Sequence, residues 1–117
     1  MRFMFIVKSP HYGPPTPAFL EAAHKMADRE IKAGRMLDSG GLMPLATGAE
    51  VRIADGKLSV VDPFVEAKEV IGGYAIFELP ARKRRSPRSR KFMQLHKDLM
   101  PDWEGTCEIR AFAPGMS

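Results

Sequence analysis

Two groups of side chains in this sequence are of the types that transfer protons. His24 stands four residues before Asp28 in a stretch with helical spacing, so the carboxylate would lie one turn away, where it would orient the imidazole and raise its pKa. Asp62, Glu66 and Glu69 are close in sequence, and neighbouring carboxylates shift one another's pKa. Together they suggest general acid–base chemistry, with His24 as the acid–base residue and Asp62 or Glu69 as its partner.

Three further side chains are candidates for ligand contact. His11 and Tyr12 stand in a Gly- and Pro-rich loop, and Trp103, the one tryptophan, stands in a turn. Loops that a rigid scaffold positions commonly carry binding residues. Some of the candidates also have a structural interpretation: His24 as a helix boundary residue, the carboxylates as a solvated stretch, and Trp103 as the cover of one end of the core.

Several classes of site are excluded by the residues themselves. Cys107 is the only cysteine, so the chain forms no internal disulfide, and its alternating pattern predicts a buried, inert thiol. No Cys/His cluster has the spacing of a zinc site, and Gly72-Gly73 lacks the surroundings of a phosphate loop, which indicates a bulge instead. His96 stands beside Lys97 and is predicted to be exposed. We therefore expect neither a metal nor a cofactor.

The elements that must position these residues follow from hydropathy patterning. A threonine before a proline predicts a helix start at Thr16-Pro17, and Gly34 predicts its end. Asp55-Gly56 between two β-prone runs predicts a hairpin. The predicted strands are 2–7, 35–39, 50–54, 57–61, 74–79 and 106–112, and the predicted helices are 17–34 and 91–100.

This order predicts a single α+β domain over residues 1–117, with a ferredoxin-like β-α-β-β-α-β plan and an inserted β-hairpin. An antiparallel sheet with both helices on one face leaves its other face bare. A chain of 117 residues has nothing else to cover that face, so we expect a homodimer formed through the open face of the sheet.

Several of these segments resemble one protein family. They are the N-terminal strand, the helix end at Ala33-Gly34-Arg35, the Asp55-Gly56 hairpin and, above all, Asp62-Pro63-Phe64-Val65-Glu66-Ala67-Lys68-Glu69-Val70-Ile71-Gly72-Gly73-Tyr74. Over nearly the whole chain the sequence resembles the YCII-related proteins of the DGPF-motif branch. The motif of that branch reads Asp-Gly-Pro-Phe, whereas this chain has Val61-Asp62-Pro63-Phe64, so its carboxylate stands one residue later.

The resemblance implies a fold, a cellular context and a range of functions. It implies a dimeric α/β barrel of ferredoxin-like subunits in the bacterial cytoplasm, with a biochemical role that is largely unassigned. Family members are proposed to be small enzymes or ligand-binding proteins, and some are encoded beside extracytoplasmic-function sigma factors. In shorter relatives a first-helix histidine is paired with an aspartate, and His24 and Asp62 are the nearest positions here.

The charge of the chain is concentrated in one segment. The 18 Lys and Arg and 14 Asp and Glu give a formal net charge of +4, which would favour nucleic acid or an acidic membrane surface. Seven of the basic residues stand between Arg82 and Lys91, so 11 basic residues face 14 acidic ones elsewhere, a net −3. The apolar run near the N-terminus is too short for a signal peptide or a membrane span, which favours a cytoplasmic protein.

We weigh three interpretations of this basic segment, residues 82–91. It is a basic arm for nucleic acid or acidic lipid, a structurally neutral loop, or the product of two compensating frame changes. The third follows from codons: a DNA stretch for Lys-Glu-Glu-Ala-Ile, the acidic helix start typical of the resembling family, reads Arg-Lys-Arg-Arg-Ser one base later. That is the order from Arg82 to Ser86.

Two classes of function therefore remain open. One is a small protein that binds a small molecule in a barrel cavity and has cofactor-free acid–base activity of a lyase or isomerase type. The other is a non-catalytic ligand-binding or regulatory module linked to transcription, whose basic segment contacts nucleic acid. The catalytic class predicts that the titratable groups of one cavity converge within hydrogen-bond distance, and the non-catalytic class predicts that they do not.

Overall fold

The computed structural model of the chain describes residues 1–10, 13–61, 70–83 and 87–115. The strands are β1 (Arg2–Ser9), β2 (Met36–Gly41), β3 (Glu50–Ala54), β4 (Lys57–Val61), β5 (Val70–Glu78) and β6 (Thr106–Ala111). The helices are α1 (Pro17–Lys32) after β1 and α2 (Pro87–Leu99) after β5, and short 3-10 turns occupy Leu45–Thr47 and Ala81–Lys83. The order of the elements is the order that the sequence predicts.

Four strands form one antiparallel sheet in the order β2-β5-β1-β6. The central position of β1 agrees with its sequence, because a strand that is apolar on both faces is predicted to lie in the middle of its sheet. With the two helices, this sheet makes a small α+β domain compatible with the ferredoxin-like class. None of the helices in the described ranges is long and apolar enough to cross a membrane.

The first helix begins and ends at the residues that the sequence indicates. The Thr16 hydroxyl accepts a hydrogen bond from the backbone N–H of Phe19 at 3.1 Å, which satisfies one of the free donors of the first turn. Pro17 fills the first helical position, where no N–H is needed. After the helix, Gly34 adopts a φ of +76°, a left-handed conformation that glycine reaches without strain.

The core lies between the sheet and the helices. On β1, Phe3 and Phe5 are buried, and the Phe5 ring packs on Phe77 with centroids 4.7 Å apart. Met36 and Leu79 complete the buried cluster, against which helix residue Ala27 packs. The two helices also contact each other, so both lie on this face. The residues of β1 and β5 that alternate with these buried side chains point to the opposite, open face of the sheet. There Met4, Ile6, Tyr74 and Ile76 are only half-buried.

The hairpin has the predicted bounds and the predicted turn. Asp55 and Gly56 have φ values of +52° and +71°, the left-handed pair that a two-residue hairpin turn requires. Strands β3 and β4 pair with each other and form a separate two-stranded sheet.

Two elements differ from their predicted bounds. Strand β5 begins at Val70 rather than at residue 74, because the pairing passes through a bulge: Val7 faces Gly73, Lys8 faces Ile71, and Gly72 is the extra residue. Helix α2 begins at Pro87 rather than at residue 91, since a proline is favoured in the first turn of a helix.

Candidate functional site

The candidate site is built on the turn that joins α2 to β6. The helix closes with a hydrogen bond from the Met100 N–H to the His96 carbonyl at 2.9 Å, and the Trp103 N–H donates to the Met100 carbonyl at 3.1 Å. Asp102, between them, has a φ of +67°, in the left-handed region that Asp tolerates better than most residues. This reversal brings the Trp103 ring back against α2.

The turn is also anchored to the end of β1. The Ser9 hydroxyl donates a hydrogen bond to the Glu104 carbonyl at 2.9 Å. At Gly105 the chain passes so close to the Lys8 carbonyl oxygen and the Trp103 ring that a side-chain Cβ would clash with both. Glycine is therefore required here for space, and it leaves room for the Trp103 ring.

His96 is the buried side chain on which Trp103 stacks. Its ring centroid lies 4.3 Å from that of Trp103, 4.4 Å from that of Phe19 and 4.9 Å from that of Phe92. The imidazole is thus enclosed by three aromatic rings, and the residue is only 5% exposed. The prediction that His96 is exposed was wrong, because the residue lies one turn after Phe92, on the helix face that meets α1.

The surroundings of His96 set its protonation state. Burial lowers the pKa of the imidazole, and the hydrogen bond to the Phe92 carbonyl opposes this effect without cancelling it. Nδ1 lies 3.1 Å from that carbonyl oxygen, which only accepts, so Nδ1 carries the proton of the neutral ring. At neutral pH the ring is therefore an uncharged part of an aromatic cluster.

A shallow cavity of about 390 Å³ lies beside this cluster of rings, at Trp103. Trp103 and two methionines supply apolar surface, while Lys97 supplies an ammonium group. The complete lining is Met93, Lys97, Met100, Asp102, Trp103, Glu104 and Gly105. An aromatic ring held from behind, with charged groups around it, is suited to stacking a planar molecule and orienting its polar substituents.

Of the acid–base residues predicted from the sequence, His24 is the one in the described part of the chain, and it does not line this cavity. His24 is exposed on α1, and within the described ranges it makes no hydrogen bond to Asp28 or to any other residue. Asp62, Glu66 and Glu69 lie outside the described residues, as do His11 and Tyr12. The ligand-contact candidate Trp103 both lines the cavity and packs on the buried His96.

Cys107 is half-buried beside the core cluster, as its alternation in β6 predicts. Burial raises the pKa of its thiol, which keeps the group protonated and unreactive. Among the described residues, no three His, Cys, Asp or Glu side chains stand close enough to hold a metal ion.

The basic segment is partly built into the fold. Arg88, in the first turn of α2, donates to both carboxylate oxygens of Glu30 at 3.2 Å, and Arg35 donates to the same carboxylate at 2.5 Å. Burial would raise the pKa of Glu30, which is 13% exposed, but the bond to Arg35 and the charge of Arg88 outweigh it and lower the pKa. Other described residues of the segment, Arg82, Lys83, Arg90 and Lys91, are exposed.

Sequence reasoning missed His96 as a member of the site, although a signal was present. His96 follows Phe92 by four residues and precedes Trp103 by seven, so a helix that buries Phe92 also turns His96 inward. Comparison of the sequence with family models and with curated proteins finds no match.

Proposed function

We propose that this chain is a ligand-binding protein of the YCII type that stacks a small planar molecule on Trp103. The cavity beside the α2–β6 turn carries the proposal, because it places a rigid aromatic ring at the rim of a concave surface. His96 behind the ring and Gly105 at its edge support Trp103 in one orientation. A preorganised aromatic platform lowers the entropic cost of binding a flat ligand.

We also propose that two subunits pair through the open sheet face, in the manner of a dimeric α/β barrel. Met4 and Ile76 are paired across β1 and β5, and Ile6 is paired with Tyr74, so four large side chains adjoin on this face. Ion pairs lie at its margins, with Lys8 bonded to Glu108 at 2.8 Å. An apolar centre with a charged rim is typical of a subunit interface.

Binding is favoured over catalysis by the described groups of the cavity. The side chains of Lys97, Asp102 and Glu104 line the same cavity but form no ion pair or hydrogen bond with one another in the described part of the chain. Acid–base catalysis by His24 with Asp62 or Glu69 remains a prediction from the sequence. If a substrate is found, a pH–rate profile that His24→Ala leaves unaltered would remove it.

Thermal denaturation with a panel of planar probes tests the binding proposal. The panel holds aromatic carboxylic acids, aromatic amines and nucleobases. A probe present at ~100 times its Kd adds about 2.7 kcal/mol to the free energy of unfolding and so raises Tm. The emission of Trp103, the only tryptophan, reports whether the probe reaches the ring. The proposal is wrong if no probe changes either signal.

Two lysines of α2 provide a matched control. Lys97 lines the cavity, whereas Lys91 is exposed elsewhere on the same helix. We expect Lys97→Gln to weaken binding of aromatic acids and Lys91→Gln to leave it unchanged. Equal effects of the two substitutions would show that the probes bind elsewhere.

Nucleic-acid contact by the basic segment is the alternative function. It predicts that a duplex oligonucleotide binds with steep salt dependence and that removal of the charges at Arg82 to Arg85 abolishes binding. Because Arg88 is bonded to Glu30, we expect a duplex to bind no more tightly than about 10⁻⁶ M at physiological salt, the range of non-specific association.

A further inference from the structure

The β3–β4 hairpin carries an apolar surface that the described residues leave uncovered. Val51 and Ile53 on β3 pair with Val60 and Leu58 on β4, so these four side chains share one face, which we call the arm face. They are 63% to 76% exposed. Arg52 and Ser59 pair on the other face, so the hairpin alternates between apolar and polar residues as a strand covered on one side does.

A two-stranded hairpin of this kind has little stability by itself in water. In the described residues, neither β3 nor β4 packs extensively against the four-stranded sheet or the helices. Other large apolar residues of the subunit, Leu42, Met43 and Ile71, are themselves 45% to 65% exposed. The described part of the subunit therefore does not bury the arm face.

The surface area that a stable dimer buries indicates what covers the arm face. An exposed aliphatic side chain offers roughly 100 Å² of apolar surface, so the four half-buried side chains of the open sheet face, Met4, Ile6, Tyr74 and Ile76, together offer on the order of 100 Å². A standard interface buries about 800 Å² per partner, of which more than half is apolar, so the sheet face alone falls short. The arm face adds roughly 300 Å² of apolar surface, which brings the apolar total close to the required area.

We propose that the arm face packs against a second copy of this chain and that the hairpin is a dimerisation arm. In a two-fold dimer each subunit extends its hairpin onto the other. The arm faces of both subunits are therefore buried by the same association. The inference rests on the proposed sheet-to-sheet dimer for its area argument, and the experiment separates the two contacts.

The test compares the dissociation constants of dimers of the full chain, measured by sedimentation velocity. The arm variant is Ile53→Lys with Leu58→Glu, which replaces an apolar cross-strand pair by an oppositely charged pair that preserves strand pairing. The matched control is Arg52→Lys with Ser59→Glu, which puts the same two residues on the polar face. We expect the arm variant to raise the dissociation constant by ~100-fold or more, and the control to leave it within ~3-fold.

A second pair of substitutions guards against loss of the hairpin itself. Val51→Thr with Val60→Thr keeps β-branched residues in both strands but makes the arm face less apolar, and we expect a ~10-fold rise in the dissociation constant. Hydrogen exchange gives an independent signal: the amides of β3 and β4 should be protected at high protein concentration and lose protection as the dimer dissociates.

The results distinguish the arm contact from the sheet-to-sheet contact. If both arm variants dimerise like the wild type, the arm inference is wrong, whatever the sheet face does. If they weaken the dimer while Ile76→Lys, on the open sheet face, does not, the arm is confirmed and the sheet-to-sheet proposal is wrong. A wild-type chain that is monomeric at every concentration, with a protected hairpin, would overturn both and indicate that the subunit covers its own arm.

Discussion

The neutral, buried imidazole of His96 predicts a dependence of stability on pH. Because burial lowers the pKa of His96 below its ordinary value of 6.5, the unfolded chain binds a proton more readily than the folded chain does. Above pH 6.5 both states are neutral at this residue and its contribution does not change with pH. As the pH falls below 6.5, the unfolded state is protonated first, so the free energy of unfolding decreases until the folded pKa is reached.

The magnitude follows from linkage and from the ring contacts. One proton bound only in the unfolded state gives a slope of at most ~1.4 kcal/mol per pH unit. In His96→Gln this slope disappears. At pH above 6.5 the variant also loses contacts with three aromatic rings, at ~0.5–1.5 kcal/mol for each, so we expect it to be about 2–4 kcal/mol less stable than the wild type.

Urea unfolding at a series of pH values, followed by Trp103 emission and far-UV circular dichroism at one protein concentration, measures both effects. His24→Gln is the matched control, since His24 is exposed and has no hydrogen-bond partner in the described part of the chain. It should retain the wild-type slope. Wild-type stability that is constant just below pH 6.5, or a slope that His24→Gln removes and His96→Gln does not, would contradict the role assigned to His96.

Two further predictions concern the packing around the site and the ion pairs between the helices. Gly105→Ala should destabilise the chain by about 1–3 kcal/mol in thermal unfolding, because its Cβ would clash with the Lys8 carbonyl and the Trp103 ring, whereas Gly13→Ala, with open space around it, should not. Glu30→Gln should cost about 1.5–3 kcal/mol at pH 7 because two arginines lose a charged acceptor. Since the pKa of Glu30 is lowered, this difference should fade as the pH drops below 4.5 in urea titrations, and its persistence at strongly acidic pH would contradict the assignment.

Elements specified by local chemistry could be predicted from the sequence with close bounds. The hairpin agrees at both strands, since Asp55-Gly56 is one of the few pairs that adopt two successive positive φ values. Helix α1 begins at Pro17 because the Thr16 hydroxyl and the proline act within one turn. Element ends set by distant partners were predicted less well. Strand β5 extends to Val70 because Ser9 pairs with it, and no local pattern indicates that pairing.

The candidate site shows the same division more sharply. Trp103 was predicted to lie at a cavity or at the end of a core, and in the structure it lines a cavity and packs on the buried His96. His96 was predicted to be exposed because its neighbour Lys97 is charged. The spacing of Phe92 and His96 indicates that both side chains share one face of α2, but the sequence of α2 does not show that Phe19 of α1 and Trp103 complete the cluster of four rings.

The order of the elements, the caps of α1, the turn of the hairpin and the concentration of positive charge in residues 82–91 follow from local sequence, because each depends on residues close together in the chain. The bond between Arg88 and Glu30, the buried neutral ring of His96 and the arm face that the described residues leave uncovered emerge from the folded arrangement. These properties depend on groups far apart in sequence, whose burial and charge are set when the sheet and the helices come together.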